Sequence, residues 1–288
     1  MKDPRQVRMS ALHIRPMRPD EILIVIDWAA IEGWNPGLDD AACFATVDPG
    51  GFLIGEIDGE PAATISCVNY DPRFAFLGFY IVRPDLRGRG YGLQIWNAAI
   101  AHAGPHTIGL DGVVAQQRNY ERSGFVHAYA NVRYGGALAA ANTTRADIID
   151  LATIPLAQVA ASDALVFPAP RPAFLQSWIG APGHIGRGMI RDGKLAAWGV
   201  IRPCRTGHKI GPLVAVDRAA AESVLSALVD AIGGGEMFLD VPSINADAVA
   251  LATELGLAPV FETARMYTGP IPPLRLDRVF GVATFELG

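Results

Sequence analysis

Residues 79–103, FYIVRPDLRGRGYGLQIWNAAIAHA, set what this chain can build. Phe79, Tyr80, Ile81 and Val82 form an apolar, strand-like run that Pro84 stops; a loop with two arginines and three glycines follows, then an amphipathic helix. Strand, glycine loop and helix in that order make an anion cradle, because the amides that open a helix lack intrahelical acceptors and sit at the positive end of its dipole. Gly88, Gly90 and Gly92 carry no Cβ to block a close approach, and Arg87 and Arg89 add positive charge. The same glycines would also serve a tight turn without a ligand, so the surrounding order has to decide.

Spacing removes two phosphate-binding readings. A dinucleotide fingerprint needs a third glycine where Leu93 stands, and a P-loop needs a Gly-Lys-Ser/Thr that does not follow. What fits is R-x-x-G-x-G, carried by Arg87, Gly90 and Gly92 after a strand that ends at Val82.

At 288 residues, half of them apolar, the chain is long enough for two cores. No apolar run reaches the roughly 18–20 residues of a membrane helix, and the opening MKDPRQVRMS holds no apolar leader, so a soluble cytoplasmic protein with no membrane partner is expected. A net charge of −5 opposes a general nucleic-acid surface. Cys43, Cys67 and Cys204 are far apart and read as small buried hydrophobes; neither a disulfide framework nor a metal site is suggested. There is no H-E-x-x-H and no G-x-S-x-G.

Taken in order, the first half reads as a strand at 13–17, a helix at 21–31 capped by Asp20 and expected to be deeply buried, and a turn at 32–37. A short helix at 38–45 follows, then a hairpin of 51–57 and 61–70 about Asp58-Gly59. After the glycine loop and its helix come a strand at 107–114, a helical piece at 116–125 and a strand at 126–133. Tyr120, Gly124 and Phe125 form Y-x-x-x-G-F within this order. Over about residues 10–135 the order of elements and both motifs resemble the GNAT N-acetyltransferases.

Residues 134–144, YGGALAAANTT, read as a linker between halves placed at 1–135 and 145–288, and beyond it the same order of elements returns. The hairpin of 186–201 turns at Asp192-Gly193, but the place of the glycine loop is taken by Ala215-Val216-Asp217-Arg218-Ala219-Ala220, with Asp217 as a helix cap that would repel pyrophosphate. The whole resembles bacterial GNAT proteins with a second, degenerate GNAT-like domain. The fold class is thus α/β (α+β): two tandem domains, each with a mixed, mostly antiparallel sheet flanked by helices. The closing residues 279–288 are expected to add an edge strand to one of the sheets.

The resemblance implies acetyl-CoA as co-substrate, with pantetheine along the strand of Ile81 and Val82 and pyrophosphate held by Arg87, Gly88, Arg89, Gly90, Tyr91 and Gly92. It implies direct attack by a primary amine of a small or amino-acid-like molecule at one active site in the first half. Tyr120 would protonate the leaving thiolate. Two departures stand out: residues 74–82 hold no carboxylate where many GNATs carry a glutamate, and Val113 stands where many have an asparagine. The general base is therefore unassigned, with Asp111 and Glu32 as candidates. Trp28, Trp34 and Asn35 are candidates to line the acceptor site. Asp240 and Asn245 would face it from the second half, or serve as a turn residue and a helix cap. The missing glutamate keeps open a second reading, a non-catalytic acyl-CoA-binding sensor.

Overall fold

The computed structural model describes residues 11–142 and 146–288. Residues 1–10, where no apolar leader is expected, and 143–145, which include the end of the expected linker, lie outside these. The first half runs β1 (His13–Pro16), α1 (Ile22–Ile31), α2 (Asp40–Phe44), β2 (Phe52–Ile57), β3 (Glu60–Asn69), β4 (Phe74–Val82), α3 (Tyr91–Ala103), β5 (Thr107–Val113), α4 (Gln117–Arg122) and β6 (Val126–Ala139). The second half repeats it with β7 (Ile148–Asp150), α5 (Leu156–Asp163), α6 (Pro172–Gly180), β8 (Ile185–Arg191), β9 (Lys194–Pro203), β10 (His208–Ala215), α7 (Arg218–Ala231), β11 (Gly234–Pro242), α8 (Ala246–Glu254), β12 (Ala258–Tyr267) and β13 (Val279–Gly281).

Local chemistry accounts for most of these boundaries. Both hairpins turn through residues at positive φ, Asp58 and Gly59 in the first half, Asp192 and Gly193 in the second. Asp217 caps α7 by accepting the Ala220 N–H at 2.8 Å. The expected Asp20 cap is not made: a 3-10 turn over Pro19–Glu21 precedes α1, and Glu21 occupies the cap position. Nor is α1 buried all round. Ile22, Val25, Ile26 and Ala29 enter the core, while Leu23 and Ile31 are exposed. The three cysteines are free and buried, as their spacing suggests.

The sheet is mixed, mostly antiparallel and flanked by helices, and the strands of both halves form it together. Its 13 strands follow the order β1-β2-β3-β4-β5-β12-β6-β11-β10-β9-β8-β7, with β13 on β10. Among the described residues only β4 with β5 and β10 with β11 pair in parallel. The last strands are exchanged: β12 of the second half pairs with β5, and β6 of the first half lies between β12 and β11. Residues 134–139, expected to open the linker, are the far end of β6 and pair with residues 234–239 of β11. The largest core cluster joins Ile26 of α1, Phe44 of α2, Phe79 of β4, Trp178 of α6 and Leu287 near the end of the chain. One continuous core therefore spans both halves.

Candidate active site

β4 and β5 stay together only from Phe74/Thr107 to Leu77/Leu110 and then diverge. Beyond Leu77 the second edge of β4 has no strand partner among the described residues, because β5 continues against β12. On its other edge β4 bulges. Thr64 faces Ile81 and Ser66 faces Gly78, so one residue of β3 opposes two of β4. Phe79 takes φ +49°, a conformation that an aromatic residue holds only under constraint, and its carbonyl accepts the Thr64 hydroxyl at 3.0 Å. The bulge re-aims the main chain beside a cavity of about 470 Å³ between the splayed strands.

The glycine loop closes one end of that cavity. Gly88 and Gly90 are left-handed at φ +75° and +79°, and Gly90 leads directly into α3. A Cβ on Gly92 would come within 2.5 Å of the Tyr80 hydroxyl. Ile81, Val82, Arg87, Gly88, Gly90 and Gly92 all line the cavity; Arg89 and Tyr91 do not. The Tyr91 ring turns instead into a satellite core with Ala62 and Leu86. Arg87 donates from Nε to the Val82 carbonyl at 2.9 Å and pairs with Glu32, which ties the loop to the chain end of α1. The first intrahelical bond of α3 is Gln94 N–H to the Gly90 carbonyl, so the amides of Gly92 and Leu93 precede any intrahelical acceptor.

Tyr120 reaches the cavity from α4, which Gly124 ends at φ +88°. Its ring stacks on Trp96 with centroids 5.7 Å apart, and it fits because Gly112 has no Cβ to overlap it. Burial, with Tyr80 nearby, pushes the Tyr120 phenol well above its ordinary range, so the group is held protonated. Tyr80 also lines the cavity, and burial raises its phenol too.

Among the described residues the carboxylates that line the cavity are Glu32, Asp111 and Glu286. Glu32 is paired with Arg87. Asp111 gives both oxygens to Arg265, at 2.8 and 2.6 Å, and also accepts from Asn131 at 2.8 Å. Asp111, a candidate base from the sequence, is thus held in a buried ion pair with Arg265. Asp240 does not line the cavity. It is fully buried on β11 and held by Arg133 at 2.6 and 2.8 Å. Burial disfavours its charge, yet Arg133 and Lys209 hold the carboxyl below its ordinary range. Asn245 caps α8. Trp34 lines the cavity with Glu32, whereas Asn35 bonds the main chain of Thr206, at 2.9 and 3.2 Å, and Trp28 packs on the core. Glu286 escaped the sequence because it sits in a tail with no motif, and only the fold carries it to the cavity.

The second half repeats the splay and fills it. β10 and β11 pair from His208/Met237 to Ile210/Leu239 and then separate. β13 enters the gap on β10, and the Val282 N–H bonds the Asp240 carbonyl of β11 at 2.9 Å. The expected edge strand is thus an interior plug. Gly211 makes room for it, since a Cβ there would overlap the Val282 carbonyl.

The first half thus presents a parallel pair splayed beside a bulge, with a glycine loop and a helix start at the mouth of the cavity. The acetyltransferase (GNAT) family model matches residues 20–125, and an acetyltransferase (GNAT) domain model matches residues 159–281. The holothin acyltransferase of Pseudoalteromonas sp. (strain SANK 73390) is 31% identical over 276 residues, covering 95% of this chain and 94% of that protein. The chain belongs to the GNAT acetyltransferase family, with a family domain in each half. A putative acetyltransferase from Pyrococcus horikoshii shares the fold at TM-score 0.83 and 21% identity, covering 100% of this chain and 99% of the other. A tandem GNAT protein from the clavulanic acid biosynthesis pathway does so at TM-score 0.63 and 16% identity, covering 91% and 100%. Among the described residues no cluster of His, Cys, Asp or Glu could hold a metal ion, and no helix is long and apolar enough to cross a membrane.

Proposed function

We propose that this protein transfers an acetyl group from acetyl-CoA to a primary amine of a small molecule, at one active site in the first half. The observation that carries the proposal is the convergence of the bulged β4, the Gly88–Gly90–Gly92 loop and Tyr120 on one cavity. The loop amides and Arg87 receive the pyrophosphate. The unpaired edge of β4 from Gly78 to Val82 takes the pantetheine as an added strand. The amine attacks the thioester carbonyl, whose oxygen draws on a main-chain N–H re-aimed by the bulge. Tyr120, held protonated, gives its proton to the departing thiolate. In the second half the β13 plug and the Asp217 cap stand where acetyl-CoA would have to lie. A relative named for acyl transfer to holothin supports a small-molecule acceptor.

The test is thiol release from acetyl-CoA with a panel of primary amines, beside calorimetric binding of coenzyme A. Turnover with at least one amine supports the proposal. Tight coenzyme A binding with no thiol release on any amine favours the sensor.

A further inference from the structure

Glu286 is 3% exposed and lines the cavity, and neither oxygen of its buried carboxylate has a hydrogen-bond partner. A buried carboxylate without hydrogen-bond partners is costly, and here only the charges of Lys209 and Arg133 offset part of that cost. Lys209, whose charge acts on Glu286, also leaves its Nζ without a hydrogen-bond partner, so the two are not bonded to each other. The main chain on both sides, in contrast, is pinned. The Thr284 hydroxyl accepts the Glu286 and Leu287 amides at 3.2 and 2.9 Å, Tyr70 donates to the Leu287 carbonyl at 2.8 Å, and Arg171 donates to the Gly288 carbonyl at 2.8 Å. Gly78 has no Cβ to overlap the Glu286 carbonyl, which brings the tail directly against the bulge of β4.

We infer that Glu286 is the general base of acyl transfer, delivered to the first-half site by the tail that plugs the second half. The inference rests on the acyltransfer proposed above. An acceptor ammonium gives one proton to the Glu286 carboxylate, and the freed nitrogen lone pair forms the C–N bond to the thioester carbonyl carbon. The C–S bond breaks with its electron pair on sulfur, and Tyr120 protonates the thiolate. The remaining extra proton on the acylated nitrogen restores the phenol. The sum is an amide, a thiol and one proton on Glu286, which solvent removes.

Glu32 is tied to Arg87 through one oxygen and Asp111 to Arg265 through both, whereas neither carboxylate oxygen of Glu286 has a hydrogen-bond partner. Burial pushes its carboxyl up from the ordinary range; Lys209 and Arg133 oppose that rise and Asp40 adds to it. A raised carboxyl is better matched to taking a proton from an amine near neutral pH.

The experiment measures kcat/KM for the amine against pH in the full-length protein and in Glu286→Gln. The variant is expected to lose about 10²-fold, to bind coenzyme A within about twofold of wild type, and to lose the acid limb of the profile. A variant with the wild-type rate and limb overturns the inference. Should the variant not fold, the wild type is assayed with amines of different basicity. An acid limb that stays at one pH supports Glu286, and a limb that moves with the amine overturns it. Wild type that releases no thiol with any amine removes the acyltransfer proposal and the base together; wild-type turnover with an unaffected Glu286→Gln removes the base alone.

Discussion

The carbonyl of Glu286 lies where a side chain on Gly78 would begin, so the end of the chain touches β4 at its bulge. Gly78→Ala should therefore push the tail away from the cavity. We expect unfolding free energy to drop by about 1–3 kcal/mol in denaturant titration. Amine turnover should fall further than coenzyme A affinity. Unchanged turnover would mean that the contact has no part in the chemistry.

Gly90 has open space around it but sits at φ +79°. A branched side chain there meets strain rather than a clash, of about 1–2 kcal/mol. The loop is expected to relax away from the left-handed conformation, so Gly90→Val should weaken coenzyme A binding by about tenfold or more while circular dichroism stays native. Affinity within twofold of wild type would remove the pyrophosphate role.

Tyr120→Phe keeps the stack on Trp96 and removes only the hydroxyl. The expected loss in kcat is about 10²-fold, with coenzyme A affinity nearly intact by calorimetry. Tyr80→Phe is the control, because that phenol also lines the cavity. If the Tyr80 variant carries the loss and the Tyr120 variant does not, the acid is Tyr80.

The order of elements, both hairpin turns, the glycine loop and the Asp217 cap were legible because each depends on neighbours a few residues away. What was not legible depends on the partner that tertiary structure supplies. Arg265, on the strand beside it, bonds both oxygens of Asp111, a pairing that no local pattern announces. Asp240 invited a site role until Arg133 claimed it. Leu23 and Ile31 made α1 look buried, but a helix between a core and solvent can expose apolar residues at little cost. Glu286 carried no local signal at all.

Asp111→Asn should test its reassignment as a structural group. Leaving Arg265 buried without its anion is expected to lower stability by about 3–5 kcal/mol, read by chemical denaturation. The pH profile of the folded protein should keep its wild-type acid limb; a lost limb would restore Asp111 as the base.

His184 stacks edge-on against Trp178 and donates from Nδ1 to the Trp178 carbonyl at 2.7 Å. Burial, followed by the nearby Arg202, pushes its imidazole down to about 4 from 6.5, although Asp40 opposes the shift. The unfolded chain then binds a proton that the native state refuses between those two values. The contribution of His184 is fully present above about pH 6.5 and is lost as pH falls toward about 4. We expect a slope of up to about 1.4 kcal/mol per pH unit in that window. His184→Gln should flatten it, and an equal slope in both proteins would place the proton uptake elsewhere.

The exchange of β6 and β12 has a consequence for how the protein is made. β5 ends at Val113, but the strand that completes its edge begins at Ala258, so the first half leaves the ribosome with an open sheet. At about 5–20 residues per second that edge waits on the order of ten seconds. The residues that would compete for it in that interval include β6, the neighbour a lone domain would choose. Native pairing thus depends on the newest strand displacing or forestalling an older one, and cutting the gene between its two halves would separate neither fold.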